Sequence, residues 1–254
     1  MISGSFLSIE IWNPWKEYFE FQGYEVLLPP WPHKSGNASE LQNRHPNQNT
    51  GLATLTLDQL VEHYAAIARR MPVKPIVLGH SMGGLITQIL VNRGFTSAGV
   101  AIHSFPPLGV VPFELSFYRA GWKALGLFTA IKQTYMMSFS DWQYAFTNGM
   151  SLQQQHESYK KYAIPESKTV ARGALTKAAA VDFNARHVPL LFTSGASDNI
   201  IPASLNKRNF LRYTDKKSVT DYKVFEGHNH FILGQQQWKE EAGFIAKWIE
   251  HVMR

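Results

Sequence analysis

The chain has 254 residues, 44% of them hydrophobic, with a formal net charge of +6 and no cysteine. That length and apolar content suffice for one large domain with its own core, and the missing cysteine excludes disulfides and thiolate metal sites and fits a reducing compartment. The positive surplus is spread over short pairs, Arg69-Arg70, Lys160-Lys161, Lys207-Arg208 and Lys216-Lys217, which read as solvated surface and not as a stripe for nucleic acid.

The opening "MISGSFLSIEIW" has no basic n-region and an early Glu10, so it does not read as a signal peptide, and a cytoplasmic location is expected. "YEVLLPP" predicts a strand, entered through Gly23 and stopped by Pro29-Pro30. The polar stretch from Trp31 to Gly51, rich in Asn, Gly and Pro, predicts a long loop. "TLDQLVEHYAAIARR" predicts a helix that Thr56 can cap, with Gln59 at the third helical position and Leu60, Tyr64, Ile67 and Ala68 on one face. "KPIVLGH" predicts a strand, "SMGGLITQILVNRG" a helix ending at Gly94, and "SAGVAIHS" the next strand.

From about Phe105 to Thr176 the rhythm breaks. No clear strand is present, and aromatic residues crowd in, Phe117, Trp122, Phe128, Trp142 and Phe146 among them. This predicts an inserted helical lobe, with its own small core, lying over the strand ends where parallel sheets bind ligands. "VPLLFTSGA" and "TDYKVFEG" predict two further strands around a helix in "PASLNKRNFLRY", and "QQWKEEAGFIAKWIEHVM" predicts a closing amphipathic helix with Phe244, Trp248 and Ile249 on one side. Strand and helix in alternation predict a single α/β domain over 1–254, its mostly parallel sheet covered on both faces. No span reaches the ~20 apolar residues of a transmembrane helix.

Gly79, Ser81 and Gly83 form G-x-S-x-G between a predicted strand and a predicted helix. That context is the nucleophile elbow, in which a strained turn lifts the serine above the sheet and only small neighbours fit where strand and helix nearly collide. A serine hydroxyl needs a base to take its proton and a third group to orient that base. Asp198, just past the predicted strand "VPLLFTSGA", is well placed as the acid, and Asp182, which comes before that strand, is the weaker competitor. "FEGHNHFILGQ" offers two histidines for the base, His228 and His230. His80 and His103 read as packed histidines, His80 pointing away from the face of Ser81, and no histidine pair has metal-ligand spacing in a matching context, so neither metal nor cofactor is expected.

With "GHSMGG", "SGASDNIIP" and "GHNHFILGQQQWKEEAGFIAKWI" in this order, the chain resembles the α/β-hydrolase superfamily in its serine esterase/lipase branch, over nearly its whole length. The resemblance implies Ser81 as nucleophile and Asp198 as acid, and it selects His230, before the aromatic Phe231, as the base. It implies an oxyanion hole from two backbone N–H groups: Met82, after the nucleophile, and Ser5, in "ISGSFLS", where Ser3-Gly4 stands in place of the His-Gly common in relatives. That loop begins almost at the first residue, so the family's first strands read as missing or shortened and the loop as poorly anchored. The implied activity is hydrolysis of carboxylic esters carrying an apolar acyl or alcohol group. The same triad could serve lactone, thioester, amide, acyl-transfer or lyase chemistry, and a catalytically silent ligand-binding homologue is the reading from another class. A small-molecule substrate is expected, and the sequence does not give the oligomeric state.

Overall fold

In a computed structural model the described residues are 1–46, 50–126 and 129–254; Phe128 of the predicted lobe lies outside them. Four parallel strands form the sheet in the order β1 (Ile76–His80), β2 (Ala98–Ile102), β3 (Leu190–Gly195) and β4 (Thr220–Phe225). β2 and β3 are buried at every position, as expected of strands covered on both faces. β4 is the edge strand and alternates between exposed and half-buried residues before ending in buried Phe225.

The helices follow in chain order: α1 (Asn13–Phe21), α2 (Ala38–Asn43), α3 (Gly51–Thr54), α4 (Leu57–Arg70), α5 (Met82–Asn92), α6 (Leu115–Leu125), α7 (Phe139–Ala145), α8 (Leu152–Tyr162), α9 (Lys168–Gly173), α10 (Ala203–Phe210) and α11 (Trp238–Val252). Two cores flank the sheet. On one side Trp12, Trp15 and Phe19 pack with Ile245 and Ile249 of α11, and on the other Leu60 and Tyr64 of α4 pack with Leu85 and Ile89 of α5. α4 starts on the predicted capping box, with Thr56 and Gln59 each bonding the other's backbone N–H.

Two expectations fail locally. Tyr24–Pro30 belongs to no strand, because a strand requires a ladder and the neighbouring chain toward β1 pairs only at Ile2. Pairing on the outer side of β1 is confined to Ile2, which bridges Gly79 and bonds Leu78 O and the His80 N–H; the Met1 ammonium then donates to Leu27 O at 2.7 Å. The polar stretch after Trp31 is also not all loop. Asn37 accepts from the Glu40 N–H to start α2, which buries Ala38 and Leu41 against Ile164, and Thr50 caps α3 in the same way.

Candidate active site

β1 delivers the chain to Ser81, whose φ of 56° and ψ of −117° place a non-glycine residue in strained backbone before α5 begins. The strain is imposed by crowding. A Cβ on Gly79 would lie 2.0 Å from the carbonyl oxygen of Gly83, and one on Gly83 would lie 2.3 Å from that of Ile2. Both obstacles are backbone, which cannot swing aside. Gly79→Ala is therefore expected to cost at least about 3 kcal/mol, or to leave the protein insoluble, with urea unfolding as the measurement; wild-type stability in that variant would contradict the elbow geometry.

The loop of residues 3–6 lies directly against the serine: a Cβ on Gly4 would sit 2.7 Å from the Ser81 Cβ. It is held firmly, contrary to the expectation of a poor anchor. Trp31 Nε1 donates to Ser3 O at 3.1 Å, and Phe6 donates to Glu166 Oε2 at 3.1 Å and accepts from the Ile164 N–H at 2.9 Å. Glu166 is in turn ion-paired with Lys34, and both side chains are almost fully buried. The Lys34 ammonium also lies 3.6 Å over the Trp31 ring. The Ser5 and Met82 N–H groups have no acceptor among the described residues and are available to an oxyanion.

Asp198 sits in the turn after β3, which positions it beside the loop after β4. Its Oδ1 accepts the N–H groups of Ile200 and Ile201, each at 2.8 Å, and its Oδ2 accepts His230 Nδ1 at 2.6 Å. Burial would raise the Asp198 pKa, but the adjacent His230 and His103 hold it well below the usual carboxylate range. The Asp198–His230 pair is thus brought together as the motifs predict. Asp182 is exposed and bonds the Asn184 N–H. His228 is buried, with Nδ1 3.1 Å from Glu241 Oε2.

His230 Nε2 is buried and has no hydrogen-bond partner among the described residues, so the bond to Ser81 Oγ is not formed in this state. Such bonds often tighten only with substrate bound. Ser81 lines a cavity together with Ser5, Met82 and Phe146, and His230 lies outside that lining, its ring 5.1 Å from the Phe146 ring. The cavity measures about 390 Å³ and is walled by Phe105, Phe117, Trp122 and Met137 among others, with no charged side chain among the described residues that line it. A larger groove of about 600 Å³ runs along the sheet edge past Met1, Leu27 and Val73, but it contains neither Ser81 nor His230.

Histidines that sequence reasoning set aside are close by. His80 does not simply point away; its Nε2 lies 2.9 Å from the His230 carbonyl oxygen, and its ring packs 4.7 Å from that of His230. Burial first, then the neighbouring His230 and His103, push the His80 pKa well down, so it is neutral and donates this bond. His103 does not reach the cavity but places Nδ1 2.9 Å from Asp198 Oδ2. His103, Asp198 and His230 offer ligand atoms within 4.8 Å of one another. At 2.6 and 2.9 Å, however, these atoms are in direct hydrogen bonds, closer than the about 3.4 Å between two ligands of one tetrahedral zinc. The donor set is a hydrogen-bonded network and does not fit a metal between its members.

The sequence model of the alpha/beta hydrolase family matches residues 1–242. The chain belongs to the alpha/beta hydrolase family. No curated protein matches this hydrolase in sequence. Solved structures similar to it include a monoacylglycerol lipase from Paleococcus ferrophilus, with 17% identity, a TM-score of 0.69, and 98% of this chain and 91% of that one covered. A methylesterase from Arabidopsis is 11% identical, with a TM-score of 0.67 and coverage of 98% and 97%. A pyrethroid hydrolase from Sphingobium faniae is 17% identical, with a TM-score of 0.61 and coverage of 98% and 95%. At these identities the likeness is one of fold. No helix among the described residues of the hydrolase is long and apolar enough to cross a membrane.

Proposed function

We propose that the protein is a serine hydrolase that cleaves carboxylic esters bearing an apolar acyl or alcohol group, through an acyl-enzyme intermediate. The observation that carries this reading is the strained Ser81 facing an apolar cavity, with the buried Asp198–His230 pair packed behind Phe146 of its wall. Ser81 Oγ attacks the ester carbonyl while His230 Nε2 takes its proton. Asp198 holds Nδ1–H and so presents the free Nε2 to the serine. The Met82 and Ser5 N–H groups receive the oxyanion, aided by the positive end of α5. His230 then protonates the leaving alcohol, and in the second half-reaction it activates the water that releases the acid.

The cavity sets the expected substrate class. With no charged side chain to compensate a buried ion, a charged group there would lose its hydration without replacement. The segment 105–176 would act as the cap over this cavity. Its rim is apolar and open: Val111, Tyr118 and Trp122 line the cavity and are each about half exposed. Monoacylglycerol and methyl esters, which two of the similar structures are named for, are both of the expected neutral kind.

A panel of nitrophenyl esters, lactones and thioesters tests the proposal. The expected result is a kcat/KM that rises from acetate to medium-chain acyl esters by about tenfold or more, since each buried CH₂ contributes ~0.8 kcal/mol. Turnover confined to lactones or thioesters would reassign the reaction, and binding without turnover would make the protein a ligand-binding homologue.

A further inference from the structure

Asp198 Oδ2 accepts two imidazole rings, His230 Nδ1 at 2.6 Å and His103 Nδ1 at 2.9 Å. The second ring is not needed to orient the base. His103 also points its other nitrogen at a second buried carboxylate, with Nε2 3.5 Å from Glu241 Oε2, an ion-pair contact longer than a good hydrogen bond. All the side chains in this arrangement are fully buried.

We propose that His103 is a cationic positioning residue: an imidazolium that shares the Asp198 carboxylate with His230 and sets a positive charge beside the base. The proposal rests on Ser81 and His230 acting as nucleophile and base.

The proton count follows from the geometry. A neutral imidazole carries one N–H, so a neutral His103 could serve one carboxylate and would turn a lone pair toward the other. An imidazolium serves both and offsets part of two buried negative charges, which isolated would be very costly. The groups facing His103 come from every element around it: Asp198 from the turn after β3, Glu241 from α11, His80 from the end of β1, and His230 from the loop after β4. His228 stands behind, bonding Glu241 at 3.1 Å. Burial alone would lower the His103 pKa, but the charge of Glu241 and the bond to Asp198 outweigh it and raise it to about 9. At Glu241 the charge and bond of His103, with bonds from His228 and Thr193, outweigh burial and lower its pKa to about 2.

The ring is wedged in place. His103 holds a positive φ of 44°, its N–H bonds Thr193 O at 2.9 Å, and a Cβ on Gly195 would meet its Cε1 at 2.6 Å. The His103 ring centroid lies 6.2 Å from that of His230. At that distance a fixed positive charge opposes protonation of the base.

The test is the pH dependence of Ser81 labelling by a fluorophosphonate, which requires no knowledge of the substrate. The inactivation rate should rise with pH as the base loses its proton. In H103Q the acid limb is expected to move to higher pH than in the wild type. A role in packing alone would lower the rate but leave the limb where it was, and that result would overturn the proposal. Nitrogen NMR of the wild type gives a second reading that does not depend on the variant folding. His103 should show both ring nitrogens protonated at pH 7; a single protonated nitrogen, with the proton on Glu241 instead, would equally overturn it. If the wild type is not labelled at any pH, the serine-hydrolase reading itself fails; labelling with an unmoved limb removes only the role of His103.

Discussion

Ser81→Ala is expected to lower kcat/KM on a medium-chain nitrophenyl ester by about 10⁵-fold while leaving the unfolding midpoint near that of the wild type. The hydroxyl is the attacking atom in the proposed reaction, so no other group replaces it. Ser81 is only 6% exposed, but its side chain faces a cavity and caps no helix N–H, so its loss leaves no buried donor unpaired. His230→Ala should cost a similar factor, and the double variant should be scarcely worse than either alone, because the two act as one unit. Multiplying losses would mean that serine and histidine work separately. A loss below about 100-fold in Ser81→Ala would place the nucleophile elsewhere.

Lys34→Ala is expected to have the largest effect on stability outside the elbow. It leaves the Glu166 carboxylate buried without its cation, and breaking a buried pair from one side typically costs about 3–5 kcal/mol. Function should fall as well, since Glu166 Oε2 also holds the Phe6 N–H, and Phe6 follows the proposed oxyanion donor Ser5. The expected signature is a lower kcat with a nearly unchanged KM, as for a group that acts only on the transition state. The double variant Lys34→Met, Glu166→Gln removes both charges and should recover most of the stability measured in urea. Equal stability of the single variant and the wild type would show that the pair does not anchor this loop.

Which parts could be read from the chain follows from the range of the forces involved. The elbow was legible because Gly79, Ser81 and Gly83 are neighbours in sequence and the runs on either side of them read locally as a strand and a helix. Asp198 was legible through its place after a strand, while the last loop offered His228 and His230 alike and only the family resemblance selected His230, which the structure joins to Asp198 by a 2.6 Å bond. Lys34 and Glu166 lie 132 residues apart, and Lys34 sits in a stretch that reads as polar loop. Nothing local marks either as buried. Glu241 was hidden for a related reason. In "QQWKEEAGF" an acid beside Lys239 and Glu240 reads as solvent face, whereas Glu241 is fully buried because His228 and His103 reach it from two other segments. A signal existed in the helical spacing of Glu241 with Ile245, Trp248 and Ile249, which puts it on the apolar face. Tyr24–Pro30 shows the opposite failure. Its composition suits a strand, but strand formation depends on a partner, and the adjoining chain pairs with β1 only at Ile2.

The most direct test of an activated serine is the intact mass of the protein after treatment with a fluorophosphonate, for the wild type and for Ser81→Ala. The account predicts a single adduct on the wild type and none on the variant. A well-folded wild type that takes up no adduct, or an adduct that persists in Ser81→Ala, would contradict it.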